Sequence, residues 1–348
     1  MHNFIAEIMQ VQQKLAKGAE LLRNLDDVEI GTTTKAVLYQ QDGVRLYRYK
    51  SNNNQSTPLL IVFALVNRPS ILDLNVDCSL IQDLLQVGQD VYLVDWGYPT
   101  ASNNTLTLSD YINLYLKNCV NFITQNTQHT QINLLGVCQG GVMALCYSCL
   151  YPQDVNAIIT AVTPIDFHTQ DNILGQIIQE VDIDALIKHT GNIPGSWLQQ
   201  TFISLNPFRL MGKKYLDLID ILDDAAALKR FLCIEKWLHD TPNLAAAAFA
   251  EFLKEFYQQN KLIKGEIYLA KRKIDLRCIT QPLLNIIATN DQIIPPSASS
   301  TLQHYISSQK YTCKMYASGH IGIFVSHKIR AQLSTDIVLW LNKEAVRL

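Results

Sequence analysis

The chain predicts an α/β fold with a mostly parallel sheet, and three observations carry that reading. Short, continuously apolar runs recur at 59–66, 90–95, 132–135, 157–163 and 282–289, as strands buried on both faces require. Stretches with helical apolar spacing separate them. Most of the runs stop at Gly, Pro, Asn or Asp, the residues that turn a chain at a strand end. Strand and helix alternating in this way build a sheet with right-handed crossovers.

Each element follows in order. Ile5, Ile8, Met9, Leu15, Ala19 and Leu22 share one face of a helix over 4–25, with Glu and Lys opposite. An amphipathic N-terminal helix is expected within 1–30, packing by default on the chain's own body. Its apolar face would equally suit a partner protein or an apolar particle. Residues 37–49 alternate about Asp42-Gly43, the pattern of a hairpin. A loop rich in Asn and Ser fills 51–57. The apolar run at 59–66 is a buried strand followed by Asn67-Arg68-Pro69. A helix is expected at 79–86, then a strand at 90–95 closed by Trp96-Gly97-Tyr98-Pro99. An amphipathic helix at 108–124 leads to the strand that begins at Ile132. A helix at 142–151 and a strand at 157–163 follow.

The pattern then changes. Residues 166–276 read as helices and loops, clearest at 217–232 and 244–257, with no core strand. This is the expected place of a helical cap that excludes water and admits substrate. The core would be 31–165 and 277–348. A strand at 282–289, a helix at 297–305, a strand at 311–316 and a helix at 328–342 complete it.

Composition excludes several classes. The chain has 348 residues, of which 48% are hydrophobic, enough for a large core in one elaborated domain. Its formal net charge of −2, without a basic block, argues against nucleic acid as a partner. The longest apolar run is too short to cross a bilayer, and the N-terminus lacks a secretion signal. A cytoplasmic location is expected, with the eight cysteines as reduced thiols. Cys146 and Cys149 form a C-x-x-C inside an expected helix without clustered His, so they read as buried helix residues, not as zinc ligands. No metal or cofactor is expected.

The stretch Ile132-Asn-Leu-Leu-Gly-Val-Cys138-Gln-Gly-Gly carries the chemistry. It is a G-x-C-x-G-G form of the nucleophile elbow, a sharp strand-to-helix turn that exposes its central side chain. Small residues are needed two positions either side, where backbone passes close by. The helix N-terminus behind the turn lowers the pKa of a thiol and offers oxyanion donors. Asp291 and His320 each follow a later strand. Nucleophile, acid and base then occur in the chain order of the α/β-hydrolase fold, all at strand C-terminal ends. His320 would take the Cys138 proton, and Asp291 would orient His320 or act as a second base. The second oxyanion donor is expected near Val66, in the loop after the strand at 59–66. His168, His189, His239, His304 and His327 lie in the cap or on expected helices and read as structural or solvated. A thiolate exchanges acyl groups with thioesters readily, so the residues alone point to an acyltransferase or other thioester-using enzyme, with a Cys-type hydrolase or thioesterase as the alternative. A non-catalytic scaffold on the same fold would need no such constellation.

The blocks Phe63-Ala-Leu-Val-Asn-Arg-Pro69, Tyr92-Leu-Val-Asp-Trp-Gly-Tyr-Pro99, Leu135-Gly-Val-Cys-Gln-Gly-Gly141, Val162-Thr-Pro-Ile-Asp-Phe167, Asp220-Ile-Leu-Asp-Asp224, Glu235-Lys-Trp237 and Ser318-Gly-His-Ile-Gly322 carry a resemblance over nearly the whole chain. The sequence resembles the catalytic subunits (PhaC) of polyhydroxyalkanoate (PHA) synthases, most of all the short class III type that works with a separate PhaE subunit. Class IV, with a different accessory subunit, is the neighbouring alternative. The resemblance implies polymerisation of (R)-3-hydroxyacyl-CoA, typified by 3-hydroxybutyryl-CoA, on Cys138 with release of CoA. It implies His320 as base, Asp291 assisting, and the N–H of Gln139 as an oxyanion donor. It also implies a homodimer at the surface of cytoplasmic polyester granules. Many relatives have His directly after the catalytic Asp. Gln292 stands there in this chain, so the base is assigned to His320.

Overall fold

The computed structural model describes residues 28–50, 56–205 and 214–345, together with Lys14 and Glu20. The N-terminal helix expected over 4–25 otherwise lies outside the described residues. Eight strands form the main sheet: β1 (Lys35–Gln41), β2 (Val44–Tyr49), β3 (Leu59–Val62), β4 (Val91–Asp95), β5 (Ile132–Val137), β6 (Val155–Ala161), β7 (Leu283–Ala288) and β8 (Tyr311–Tyr316). Their order is β1-β2-β4-β3-β5-β6-β7-β8. β1 pairs with β2, and β2 with β4, antiparallel; every pair from β4 to β8 is parallel. The chain is therefore an α/β-hydrolase fold in topology, with an antiparallel edge on a parallel sheet. At the β1–β2 turn, Asp42 and Gly43 have φ of 48° and 92°, the two positive values that a two-residue hairpin loop demands.

Alternation along the strands divides the interior into two cores. Leu60, Val62, Leu134, Ile158 and Leu283 face one side of the sheet. Leu59, Ile61, Leu135, Ile159 and Leu284 face the other. The first core is closed by α2 (Lys117–Asn126), which continues a π-helical turn at Asp110–Leu116, and by α3 (Gln139–Leu150). The second is closed by α1 (Leu80–Gln86) and the C-terminal helix His327–Ala345. Asn285 is a fully buried polar residue on β7. It is tolerated because it accepts from the Thr160 hydroxyl (3.0 Å) and donates to the Ser299 carbonyl (2.9 Å).

Between β6 and β7 the chain leaves the sheet. The described residues there form α4 (Ile173–Gln179), α5 (Ile183–Thr190), α6 (Gly195–Leu205), α7 (Lys214–Ile221), α8 (Ala225–His239), α9 (Ala246–Glu251), a π-helical turn (Phe252–Gln258) and α10 (Lys261–Lys264). A two-stranded hairpin, Ile267–Leu269 with Arg272–Ile274, follows outside the main sheet. The single helix expected at 217–232 is two helices. The Asp224 carboxylate accepts from the N–H groups of Ala226 and Ala227, which starts α8 afresh. Two boundaries near the sheet's C-terminal edge also differ from expectation. β3 stops at Val62 rather than at residue 66, and α3 starts at Gln139 rather than at 142.

The C-terminal helix is clamped to α1 and to the turn before it. Arg330, only 4% exposed, donates from Nε to Asp83 (2.6 Å) and from Nη2 to the Asp77 carbonyl (3.0 Å). Removing the guanidinium leaves the half-buried Asp83 carboxylate and the Asp77 carbonyl without these donors. Arg330→Ala is expected to lower the unfolding free energy by about 3 kcal/mol. Urea denaturation measures this, and a loss near zero would mean that the clamp is dispensable.

Candidate active site

β5 runs into the elbow without a break. Val137 ends the strand, Cys138 has φ 53° and ψ −124°, and Gln139 is already helical. A positive φ on a residue with a Cβ is costly, about 1–3 kcal/mol, and persists only where the surroundings over-determine it. Here they do. The Cys138 N–H donates to the Ala161 carbonyl at the end of β6 (2.9 Å), and its own carbonyl accepts from Gly141 (2.9 Å). The glycines clear the space. A Cβ on Gly136 would fall on Gly141 and the Gly140 carbonyl. One on Gly140 would fall on the Val62 carbonyl and Phe63, and one on Gly141 on the Thr163 side chain. The adjacent strand end is strained too: Val162, a β-branched residue, has φ 46° while its N–H donates to Ile286 (2.9 Å).

Asp291 follows β7 by three residues. One of its oxygens accepts from the N–H groups of Ile293 and Ile294 (both 2.9 Å), so the carboxylate folds its own turn. The other oxygen is 2.6 Å from Nδ1 of His320, which follows β8 by four residues. The Cys138 side chain lies close enough to the His320 ring to raise its pKa. The structure thus joins Cys138, His320 and Asp291 in one chain of contacts, from three separated parts of the sequence. The Asp291 side chain is 1% exposed and that of His320 11%. Burial works against a charged imidazole. The negative charges of Asp291 and of a Cys138 thiolate, with the hydrogen bonds to both, outweigh it and push the His320 pKa up from 6.5 to about 10. Such a site holds a proton on the imidazole within reach of the Cys138 sulfur, an acid beside a nucleophile in one arrangement.

Gln139 and Val66 are the two residues expected to supply oxyanion donors. Gln139 opens α3, so its N–H has no helical acceptor behind it. Val66 lies in the loop after β3, and its N–H donates to no acceptor among the described residues. That loop exists because β3 ends early. Phe63 turns over Gly140, and its carbonyl accepts from the Trp96 indole N–H (2.9 Å).

Tyr257 was legible in the sequence only as the end of a helix. It is buried, at the end of the π-helical turn, and packs edge-on against Phe167 (ring centroids 4.7 Å apart). Burial, and then the charge of Cys138, raise its phenol far above the ordinary value, so the hydroxyl lies within electrostatic reach of the thiol. π-Helical insertions often mark functional sites, a signal with no counterpart in apolar spacing. His168 and His239 are bonded to the main-chain carbonyls of Tyr257 and Glu235 (both 2.8 Å). No cluster of three or more His, Cys, Asp or Glu among the described residues is arranged to hold a metal. None of the described helices is long and apolar enough to cross a membrane.

Two expectations follow from this geometry. Gly140→Ala drives a methyl into the end of β3, so it should abolish alkylation of Cys138 and lower the melting temperature sharply. Parental alkylation in that variant would show that the elbow tolerates a Cβ. For His320, the pKa is about 10 in the folded state against 6.5 unfolded. Its stabilisation is fully present below pH 6.5 and is lost as the pH rises through about 10. The melting-temperature gap between the parent protein and His320→Gln should therefore be widest below pH 6.5 and close towards pH 10. A gap that widens with pH would contradict the assignment.

Comparison with known proteins agrees with the architecture. The family described as alpha/beta hydrolase fold matches residues 57–326. The monoacylglycerol lipase of Paleococcus ferrophilus superposes with a TM-score of 0.56 at 16% identity, covering 86% of this chain and 99% of that one. An esterase from Thermogutta terrifontis gives a TM-score of 0.54 at 16% identity, covering 89% and 98%. At that identity the likeness is one of fold alone. The relatives by sequence are more specific. A poly(3-hydroxyalkanoate) polymerase subunit PhaC of Allochromatium vinosum is 45% identical over 341 residues, covering 97% of this chain and 96% of the relative. The protein of the same name from Synechocystis is 43% identical over 348 residues, covering 97% and 92%. On that full-length similarity, the chain belongs to the α/β-hydrolase fold family and, within it, to the poly(3-hydroxyalkanoate) polymerase PhaC subunits.

Proposed function

We propose that the chain is an acyltransferase that polymerises (R)-3-hydroxyacyl-CoA into polyester and releases CoA, through an acyl group carried on Cys138. The observation that carries this reading is the thiol on a strained elbow, bonded to a His–Asp pair, in a chain of the PhaC family. The Cys138 sulfur attacks the thioester carbonyl and forms a new C–S bond. The bond to CoA breaks, and CoA takes its proton from His320 and leaves as the thiol. The hydroxyl of a second hydroxyacyl unit then attacks the Cys138 thioester. Its proton passes to His320, an ester bond forms, and Cys138 is restored as a thiolate. Asp291 holds the His320 ring in place and stabilises its charge through both transfers. The N–H groups of Gln139 and Val66 face the oxygen of each tetrahedral intermediate.

Thioester exchanged for thioester keeps the acyl group activated, which a Ser ester would not. Water must be kept out for polymer to outrun hydrolysis. We assign that task to the helices between β6 and β7, acting as a cap over residues 166–276. The reading extends to a PhaE-type accessory subunit, a homodimer and the surface of cytoplasmic polyester granules. These rest on the family resemblance and on the relatives' naming as subunits.

The test is CoA release from (R)-3-hydroxybutyryl-CoA with recovery of the product, for the protein alone and with a PhaE-type subunit. Thiol-dependent release with insoluble polyester is the expected result. Release with only free 3-hydroxybutyrate would make the chain a thioesterase. Cys138→Ala should lower CoA release by more than about a thousandfold without changing the melting temperature by more than a few degrees. Turnover near the parental rate in that variant would remove Cys138 from the mechanism.

A further inference from the structure

The side chain of Gln139 has a contact that its main-chain role does not explain. Gln139 is 6% exposed, and its Oε1 accepts the N–H of Leu65 at 3.0 Å, a fully buried hydrogen bond spanning 74 residues of sequence. Leu65 is the residue before Val66. Of these two neighbouring N–H groups, the first is therefore taken up by Gln139, and the second has no acceptor among the described residues. The loop that carries them has other fixed points on both sides. The Phe63 carbonyl is held by the Trp96 indole (2.9 Å), the Asn67 side chain accepts from the Thr241 hydroxyl (2.6 Å), and the Arg68 carbonyl accepts from the Trp237 indole (2.7 Å). Asn67 itself has φ 61°, so the chain reverses just past Val66. Between these anchors, the bond to Gln139 is the polar contact that fixes the Ala64–Leu65 peptide, which meets the Leu65–Val66 peptide and its N–H at the Leu65 Cα.

We infer that Gln139 is a positioning residue of the oxyanion hole: its main chain supplies one donor, and its side chain aims the other, the N–H of Val66. The inference rests on the proposed acyl transfer at Cys138. The physical reasoning is one of satisfaction. A Leu65 N–H that loses its acceptor is buried and unpaired, at a cost of about 1–3 kcal/mol. The Ala64–Leu65 peptide relieves that cost by rotating toward another acceptor, and the Leu65–Val66 peptide, hinged to it at the Leu65 Cα, is displaced in turn. An oxyanion donor works only within hydrogen-bonding distance of the developing charge, and complete loss of one donor costs about 100–1,000-fold in kcat. A donor misaimed but not lost should cost less, about 10–100-fold. The anchors at Phe63, Asn67 and Arg68 remain, so the fold should persist. The Cys138–His320–Asp291 chain is untouched, so generation of the thiolate should persist too.

Gln139→Met keeps the length and volume and removes the strong acceptor. Gln139→Asn keeps the amide but is one methylene too short. Both should lower kcat for (R)-3-hydroxybutyryl-CoA by about 10–100-fold with KM changed less than about threefold. Both should leave the rate of Cys138 alkylation by iodoacetamide, and the melting temperature, close to the parental values. Alkylation needs the thiolate but no oxyanion hole, so a purely structural role would move both rates together. The same comparison is made on the burst of p-nitrophenol from p-nitrophenyl acetate, which reports acylation of Cys138 without reference to CoA or polymer. If the parent acylates from the acetate but ignores hydroxybutyryl-CoA, the polymerase reading fails while the Gln139 comparison is still read on the burst. Parental acylation rates in both variants would overturn the inference. So would a parallel fall in acylation and alkylation, which would make Gln139 a support of the whole elbow. A parent that acylates from neither substrate would overturn it together with the acyl-transfer reading.

Discussion

The absence of a Cβ at Gly136, Gly140 and Gly141 is the constraint on which the rest of this protein depends. Each glycine gives up a side chain so that another segment can come close: helix backbone at Gly136, the end of β3 at Gly140, and Thr163 after β6 at Gly141. Without those approaches the strained backbone of Cys138 would have nothing to hold it. With them, β3, β5 and β6 converge on one residue, and the thiol projects from the C-terminal edge of the sheet. The tight packing also explains why β3 ends at Val62. Its continuation must turn aside over Gly140, and in turning it gives the Leu65 N–H to the Gln139 side chain.

Electrostatics follows from this placement. A carboxylate that folds its own turn, an imidazole nearly closed off from solvent and a thiol at a helix start are three groups of modest reactivity when separate. Parallel strands side by side, β7 next to β8 and β6 between β5 and β7, set them within a few ångströms. Burial alone would keep His320 neutral. It is the company of Asp291 and Cys138 that reverses the balance and keeps a proton on the imidazole. The same loop after β3 ties the elbow to the helical insertion, since Thr241 and Trp237 reach it just after α8 and from its last turn. A shift of α8 would therefore be felt at Asn67 and Arg68, directly after Val66.

Most of the sheet was legible because its strands are buried on both faces and read as unbroken apolar runs. The parallel order, the hairpin at Asp42-Gly43 and the strand at 311–316 required no contact outside their own segments. The elbow was legible for a similar reason: its Gly spacing records close packing in a local pattern. Boundaries that depend on distant partners were not. The expected strand at 59–66 is half as long, because Phe63, Ala64, Leu65 and Val66 are as apolar as a strand but are drawn away by Trp96 and Gln139. The expected helix at 217–232 breaks at Asp224, whose carboxylate caps a new helix start within a run of helical apolar spacing.

By itself, the amino-acid sequence determined the α/β architecture, the chain order of Cys138, Asp291 and His320, and the family, because each is written in short-range pattern or in blocks of identity. Tertiary structure alone decided that the carboxylate reaches Nδ1 of His320, that Tyr257 comes within electrostatic reach of the thiol, and that the Gln139 side chain takes up the Leu65 N–H. These are outcomes of packing between segments tens to hundreds of residues apart. A hydrogen bond between a helix start and a loop 74 residues earlier leaves no trace in the spacing of either.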